Sequence, residues 1–255
     1  YDSVKNSYSL DTVESPEQFY ITAKAFGRFA YDLNDFDASQ LVEVIPQFHD
    51  TRNRYRQLEE AIREDRVDRV KEVQEEIAFI QNRKADCFLL YDLLDEGVLP
   101  LRVTHNDTKL NNIMFDSETK EPLCIVDLDT VMPGLVLFDF GDSIRFGAND
   151  CAEDESDLTK VNFDFDLYET YVKGFIEGTN GILTEAELEY LPWGARVITL
   201  EQGIRFLTDY INGDVYYATT RPGQNLDRAR TQLKLVQDME NVWDKMVEAV
   251  KNAQK

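Results

Sequence analysis

Cysteine and histidine, the residues that build disulfide scaffolds and zinc sites, are scarce in this sequence. Among its 255 residues are three cysteines, Cys87, Cys124 and Cys151, which lie far apart and never form a C-x-x-C pair. This usage is typical of a reducing compartment. Since His49 and His105 are the two histidines, the sequence argues against a closed Cys/His zinc site.

Positive charge is also in short supply. Lys and Arg total 27 against 49 Asp and Glu, which gives a formal net charge of −22. Nucleic acids and anionic membrane surfaces are bound by basic side chains that neutralise phosphates. The charge balance therefore predicts neither a nucleic-acid partner nor a membrane partner.

Long apolar runs are missing as well. No stretch of about 18 residues is apolar enough to span a bilayer. The start, YDSVKNSYSL, has neither the basic nor the apolar segment of a secretion signal. These absences predict a soluble, cytoplasmic protein. Because the sequence starts without a methionine and soon leads into a helix, we expect a fragment of a longer protein.

Most of the chain has the periodicity of amphipathic helices. The first helix is predicted to open at Ser15-Pro16, with Gln18 closing a capping box. A second capping box, Thr184 with Glu187, predicts another helix start. The stretch 48–55 is predicted to be a loop. Further helices are predicted at 55–84, 86–97, near 138, at 164–177, at 194–210 and at 226–251.

Between these segments the hydrophobic period changes from about 3.6 to about 2 residues. Short β-type runs cover 101–104, 112–116 and 123–127, and a turn joins the last two. The acidic stretch 150–157 lacks the ligand spacing of a calcium loop, so we expect a solvated loop. The predicted fold class is α+β, mainly helical, with a small β-hairpin.

The predicted hairpin carries residues with distinctive chemistry. His105, Asp107 and Asn112 form the pattern H-x-D-x-x-x-x-N, and Asp127 ends the next β-run, 15 residues after Asn112. In phosphoryl transfer, such an Asp accepts the proton of the attacking hydroxyl, while the Asn and the strand-end Asp hold Mg²⁺. These hard oxygen ligands leave the remaining positions of the ion to nucleotide phosphates. Lys109 is placed to neutralise the transferred phosphoryl group.

Other interpretations of these residues stay open. Asp107 and Asn112 could cap turns while Asp127 merely ends a strand. Asp139 and Asp142 could cap the helix that supports the metal-binding loop, or contact the substrate. The chain could also be a catalytically silent binding module. A protein kinase is disfavoured because no A-P-E segment follows Asp127.

The stretches THNDTKLNNIMFD and IVDLDTVMPGLVLFDFGDSIRFGAND resemble the aminoglycoside phosphotransferase and choline kinase superfamily, and within it the N-acetylhexosamine 1-kinases. This resemblance implies a protein-kinase-like fold that uses ATP and Mg²⁺ to phosphorylate the anomeric hydroxyl of N-acetylglucosamine or N-acetylgalactosamine. Another small alcohol is the alternative acceptor.

The same resemblance assigns roles to individual residues. Asp107 matches the catalytic base, and His105 matches a structural histidine of the loop, so both are candidate catalytic residues. Asn112 and Asp127 match the metal ligands. Asp129 matches an acidic position that is frequent in the superfamily, and it is counted here with the metal ligands.

The resemblance covers 1–255 as a C-terminal lobe. It divides this lobe into a helical subdomain at 1–98, a catalytic core at 99–150 and a second helical subdomain at 151–255. No Gly-rich loop or strand lysine of an N-terminal nucleotide lobe precedes the first helix, so the isolated chain is expected to be inactive. Some relatives are labelled mucin-desulfating enzymes. No cysteine here lies in a C-x-P/A-x-R context, so sulfatase chemistry has no support.

The sugar site is predicted from polar and aromatic side chains. Arg205 and Asp209 share a helical face by their i,i+4 spacing, and Tyr216 follows in the next loop. His49 and Arg52 lie in the predicted loop at 48–55. Arg205 could instead pair within its helix, Tyr216 could be a surface aromatic, and His49 and Arg52 could be structural.

Overall fold

The computed structural model of the chain describes residues 4–255. Within this range, helices separated by short strands follow one another, and the predicted class, α+β and mainly helical, is confirmed. The helices are α1 (Pro16–Asp32), α2 (Thr51–Glu64), α3 (Gln74–Gln81), α4 (Lys84–Asp95), α5 (Val136–Gly147), α6 (Phe165–Thr179), α7 (Glu185–Ile211), α8 (Gln224–Asn241) and α9 (Trp243–Ala253). The strands are β1 (Ser7–Tyr8), β2 (Arg102–Thr104), β3 (Ile113–Asp116), β4 (Pro122–Ile125) and β5 (Met132–Gly134).

Side-chain caps start two of the helices where the sequence predicts them. The Ser15 hydroxyl accepts the Gln18 backbone N–H at 3.2 Å, but the Gln18 side chain donates to the Tyr8 hydroxyl, so this capping box is half formed. At α7 both bonds of the box exist, since the Thr184 hydroxyl and the Glu187 carboxylate each accept the other residue's backbone N–H. Capping therefore fixes the start of α7 from both sides.

The predicted helix at 55–84 is wrong, and so is most of the predicted loop at 48–55. The Asp50 carboxylate accepts the Asn53 backbone N–H at 3.1 Å and starts α2 at the next residue. The helix then ends at Asp65, whose backbone is left-handed at φ 40°, and α3 and α4 follow as separate helices. Arg52 consequently lies on a helix and not in a loop.

The predicted helix at 226–251 is also wrong, because the chain breaks between α8 and α9. Val242, at φ −114° and ψ 16°, is outside helical geometry, and its N–H bonds to carbonyls at the end of α8. The apolar stripe continues through this residue into Met246 and Val250, which are both buried. Hydrophobic periodicity detects such a stripe, but it does not detect a break in the helical backbone along the stripe.

The strands form two small antiparallel sheets. One has the order β1-β3-β4 and the other pairs β2 with β5. Ile113 faces Ile125 across the β3–β4 hairpin, and the Asn112 carbonyl accepts the Val126 N–H at 2.9 Å. This register brings Asn112 and Asp127 to the same end of the hairpin.

Helices from both ends of the chain share two apolar cores. In the first, Phe19 of α1 and Phe175 of α6 pack with Phe140 of α5. In the second, Leu58 of α2 packs with helices α3, α7 and α8. Helix α7 contributes to both cores and so connects them.

None of the helices between residues 4 and 255 is at once long and apolar enough to cross a membrane.

Candidate active site

The loop that follows β2, residues 105–112, rests on the first half of α5. The Asp139 carboxylate accepts the backbone N–H groups of His105 at 2.8 Å and Asn106 at 2.7 Å. The Asp142 carboxylate accepts the Thr108 N–H at 3.2 Å. Both carboxylates therefore hold the loop backbone. Burial raises the pKa of Asp139 to about 6, against the effect of these N–H donors.

His105 is fully buried beneath this loop. Its ring meets Phe26 and Phe29 edge-on, with centroids 5.8 Å away in each case. Its Nε2 lies 3.0 Å from the Val126 carbonyl, and its Nδ1 lies 3.3 Å from the Asp107 backbone nitrogen. A carbonyl requires a donor and an N–H requires an acceptor, so the geometry fits a neutral ring protonated at Nε2. His105 thus connects the end of β4 to Asp107.

Asp107 lies at the surface of the loop between two partners. The Lys109 ammonium is 2.8 Å from its Oδ1. The Asn112 amide nitrogen donates to the Asp107 carbonyl at 2.8 Å and to its Oδ2 at 3.2 Å. The structure brings these three predicted residues together, with Asp107 about one fifth exposed.

Asn112 and Asp127 offer two oxygen donors at one end of the hairpin. Because the Asn112 amide nitrogen is committed to Asp107, its Oδ1 is the atom available to a ligand. Asp127 has a left-handed backbone at φ 60° and an exposed side chain, and Asp129 is exposed in the next turn. Across residues 4–255, no set of three or more His, Cys, Asp or Glu side chains is arranged to hold a metal ion. The pair fits Mg²⁺ that completes its shell with phosphate or water oxygens.

A cavity of about 380 Å³ opens beside Asp107 and Lys109. Arg205 of α7 lines it, donates to the Gln202 amide oxygen at 2.9 Å, and stacks over Phe48 and Tyr217. Among the residues that the structure describes, no carboxylate forms an ion pair with Arg205. The cavity thus combines aromatic faces with an arginine that is free to bind a ligand.

Three other predicted substrate residues, Asp209, Tyr216 and Arg52, do not line this cavity. Asp209 is buried, and its carboxylate accepts the backbone N–H groups of 215, 216 and 217. Tyr216 is 74% exposed and borders a neighbouring pocket that also includes Arg205. Arg52 pairs with Asp95 at 2.5 Å, stacks over Tyr91, and does not line the cavity.

His49 lies at the base of the cavity and is 8% exposed. Its Nδ1 is 3.0 Å from the Glu201 carboxylate and its Nε2 is 3.0 Å from the Asn106 carbonyl. The structure therefore places it between α7 and the loop at 105–112.

Sequence reasoning missed several side chains of this region. Gln202, Tyr217 and Arg228 line the cavity, as does Glu153, which lies 3.1 Å from Arg145. Gln202 lies three residues before Arg205, so the helical spacing that selected Arg205 could have found it. Glu153 and Arg228 come from distant segments, and no local pattern marks them.

Comparison with known proteins adds a family and a fold. The model of a phosphotransferase enzyme family, APH, matches residues 7–169, which include the catalytic loop and Asp127. The fold is similar to that of a microcompartment-associated aminopropanol kinase, with a TM-score of 0.57 and 14% identity over 96% of this chain and 68% of that one. It is also similar to choline kinase from Cryptosporidium parvum, with a TM-score of 0.55 and 15% identity over 98% and 73% of the two chains. A choline/ethanolamine kinase family protein from Mesorhizobium loti gives a TM-score of 0.50 and 16% identity over 97% and 72%.

Proposed function

Because the chain belongs to the APH phosphotransferase enzyme family, we propose that it transfers a phosphoryl group from ATP to a hydroxyl group of a small sugar. We propose the anomeric hydroxyl of N-acetylglucosamine or N-acetylgalactosamine as the acceptor. In this proposal, residues 1–255 form the C-terminal lobe of a kinase, with 99–150 as its catalytic core. The observation that carries it is that Asp107, which lines the cavity, is hydrogen-bonded to Asn112, and that Asn112 lies with Asp127 at one end of the β3–β4 hairpin.

Asp107 is the proposed base. Its carboxylate orients the acceptor hydroxyl and takes the proton as the new oxygen–phosphorus bond forms and the bond to the ADP oxygen breaks. Lys109, 2.8 Å away, carries the positive charge nearest to this carboxylate and offsets negative charge at the reacting phosphate. His105 holds the backbone of Asp107 through its Nδ1.

Asn112 and Asp127 are the proposed ligands of Mg²⁺, with Asp129 as a further candidate. The bound ion would supply positive charge to the nucleotide phosphates. The chain's own contribution is to orient the two oxygen donors. The Asn112 amide is locked by Asp107, and Asp127 is set by the hairpin register.

The charge of the cavity supports a sugar acceptor. Arg205 would repel a quaternary ammonium group, whereas its N–H groups can donate to hydroxyl or amide oxygens of a neutral sugar. Tyr217 and Phe48 supply aromatic surface beside it. Another small alcohol, such as the amino alcohols in the names of the similar kinases, is the alternative acceptor.

The test is a comparison of acceptors with the complete protein and MgATP. N-acetylglucosamine, N-acetylgalactosamine, choline and 1-amino-2-propanol are each incubated, and the products are followed by phosphorus NMR. We expect a phosphorus signal coupled to the anomeric proton of an N-acetylhexosamine, and its loss in a folded Asp127→Asn variant. A 6-phosphate would overturn the proposed hydroxyl, and faster phosphorylation of an amino alcohol would overturn the proposed acceptor. No phosphorylation of any acceptor would favour a binding module.

A further inference from the structure

His49 connects helix α7 to the catalytic loop through two hydrogen bonds. Its Nδ1 faces the Glu201 carboxylate at 3.0 Å, and its Nε2 faces the Asn106 carbonyl at 3.0 Å. The second oxygen of Glu201 accepts the Thr51 hydroxyl at 2.8 Å. Glu201 and Thr51 are fully buried, so this chain of bonds lies inside the molecule.

The partners of His49 define its protonation. Burial raises the pKa of Glu201, but the attraction of His49 and the hydrogen bonds that Glu201 accepts outweigh burial and hold this pKa below its ordinary value. With Glu201 ionised, its carboxylate and the Asn106 carbonyl are both acceptors, so both ring nitrogens carry a hydrogen. His49 is therefore an imidazolium that forms a buried ion pair with Glu201. Burial lowers the pKa of His49, but the Glu201 charge and hydrogen bond outweigh this effect, and the pKa lies above its ordinary value.

The charges around the ring agree with a cationic His49. Helix α5 contributes two carboxylates on this side, and α7 contributes one carboxylate and one guanidinium. The titratable and charged groups that face the pair from α4, α5 and α7 are Cys87, Tyr91, Asp139, Asp142, Glu201 and Arg205. Three carboxylates thus face His49 and Arg205, and one of them, Asp142, is also paired with Arg145 at 2.9 Å.

The Asn106 carbonyl matters because it belongs to the peptide bond that precedes Asp107. Asn106 has a left-handed backbone at φ 65°, and its N–H is held by Asp139. Its side-chain amide is bound to the carbonyls of Thr104 and Thr130. The remaining polar group of Asn106 is its carbonyl, which the hydrogen bond from His49 holds in place. This bond therefore sets the direction of the chain as it enters Asp107.

We propose that His49 and Glu201 are positioning residues, with an imidazolium at His49 that holds the peptide between Asn106 and Asp107 so that the Asp107 carboxylate faces the acceptor hydroxyl. The kinetic consequence of this inference rests on the proposed phosphotransferase function. The role differs from the sugar contact that the sequence suggests for His49, because both ring nitrogens are occupied by protein atoms.

The kinetic test compares Glu201→Gln with Glu240→Gln in the complete protein. Glu240 of α8 binds Arg83 and Arg196 and does not contact the catalytic loop. We expect Glu201→Gln to lower kcat by about 10- to 100-fold with little change in the acceptor KM, as for residues that orient a catalytic group. The alkaline limb of the pH profile of kcat should move to lower pH by about one unit or more, because His49 loses its counter-charge. Glu240→Gln should keep the wild-type kcat and limb.

An unchanged kcat and pH profile in folded Glu201→Gln would overturn the proposal. If that variant does not fold, His49→Gln, which keeps one donor, should lower kcat and remove the alkaline limb. A wild-type limb in His49→Gln would also overturn the proposal.

A spectroscopic test does not depend on turnover. Nitrogen-15 NMR of the ring nitrogens distinguishes an imidazolium, with two similar protonated nitrogens, from a neutral ring with one of each kind. At pH 7 we expect His49 to be an imidazolium. A neutral His49 would overturn the positioning proposal even if the kinase is active. An imidazolium in a protein that phosphorylates no acceptor would instead overturn the proposed function and retain the ion pair.

Discussion

The two carboxylate oxygens of Asp107 have different neighbours. Oδ1 faces the Lys109 ammonium at 2.8 Å, and Oδ2 faces the Asn112 amide nitrogen at 3.2 Å. The first contact is an ion pair, whereas the second is longer than an ideal hydrogen bond. An incoming hydroxyl can therefore compete for Oδ2 without breaking the ion pair. In the proposed reaction, this difference makes Oδ2 the oxygen that takes the proton.

We expect Asp107→Asn to lower kcat by about 10²- to 10⁴-fold while the acceptor KM changes little, because the amide keeps the shape of the side chain and loses the proton acceptor. Steady-state kinetics with MgATP and N-acetylglucosamine measure both constants. Asp116→Asn is the matched control, since Asp116 belongs to the same hairpin and accepts backbone N–H groups in its turn. Wild-type kcat with a raised KM in Asp107→Asn would make Asp107 a binding residue only.

Local spacing predicted the loop residues better than the substrate residues. Asp107, Lys109 and Asn112 lie within six residues of one another, so their proximity is nearly a property of the chain itself. Tyr216 and Tyr217 show the limit of such spacing. The carboxylate of Asp209 binds the backbone of this loop and turns Tyr217 toward the cavity while Tyr216 is exposed. No sequence pattern shows which of two adjacent tyrosines a folded loop will point inward.

At the scale of elements, the catalytic loop depends on the contact between α5 and α7. Asp139, Asp142 and Ser143 of α5 all bind the loop. The two helices approach closely where Gly141 faces Gly194, and a methyl group at Gly194 would lie 2.2 Å from the Leu137 carbonyl oxygen. The absence of a side chain at this position therefore sets the distance between the helix that holds the loop and the helix that holds Glu201 and Arg205.

We expect Gly194→Ala to lower the free energy of unfolding by about 1 to 3 kcal/mol, because backbone must move to admit the methyl group. The same backbone shift should displace α5 and its contacts with the loop at 105–112, and so lower kcat. Gly203→Ala is the control on the same helix, since its methyl group would meet the flexible Leu233 side chain at 3.0 Å. Its free energy of unfolding should stay within about 1 kcal/mol of wild type, given the helix propensity gained. Urea denaturation measures the free energy of unfolding of both variants. An equal loss in the two variants would contradict the explanation that the close backbone contact at Gly194 sets the distance between α5 and α7.

Long-range contacts explain why the helix break at Asp65 escaped sequence analysis. The Asp65 carboxylate accepts the backbone N–H groups of Arg69 and Val70 and so stabilises the turn locally. Arg69 in turn binds the Tyr210 carbonyl and Asp214 at the end of α7. Tyr210 and Asp214 lie more than a hundred residues from Arg69 in the sequence. The residues around the turn therefore have no local pattern that predicts these contacts. The predicted β-strands did not depend on long-range contacts, because the alternation of apolar and polar residues within a few positions indicates each of them.

At the scale of the whole molecule, the excess of acidic side chains opposes folding. The formal net charge is −22, and many basic side chains already pair with carboxylates, as Arg83 does with Glu240. Exposed ion pairs contribute about 0 to 1 kcal/mol each, and salt weakens them. Salt also weakens the repulsion among the unpaired carboxylates, which acts over longer distances and is relieved when the chain expands. Added salt therefore lowers the stability of the fold by weakening ion pairs and raises it by weakening the repulsion.

We expect the repulsion to dominate, so that Tm rises by several degrees between about 0.01 and 0.15 M NaCl, over which the Debye length falls from about 30 to about 8 Å. The excess of 22 negative charges involves many pairs at such separations, whereas each ion pair acts over a few ångströms. Differential scanning calorimetry measures the change. KCl is the control, because screening depends on ionic strength and not on the cation. A Tm that falls with both salts would mean that exposed ion pairs such as Arg63–Glu60 and Lys173–Glu169 outweigh the repulsion, and a rise with one salt alone would mean specific ion binding.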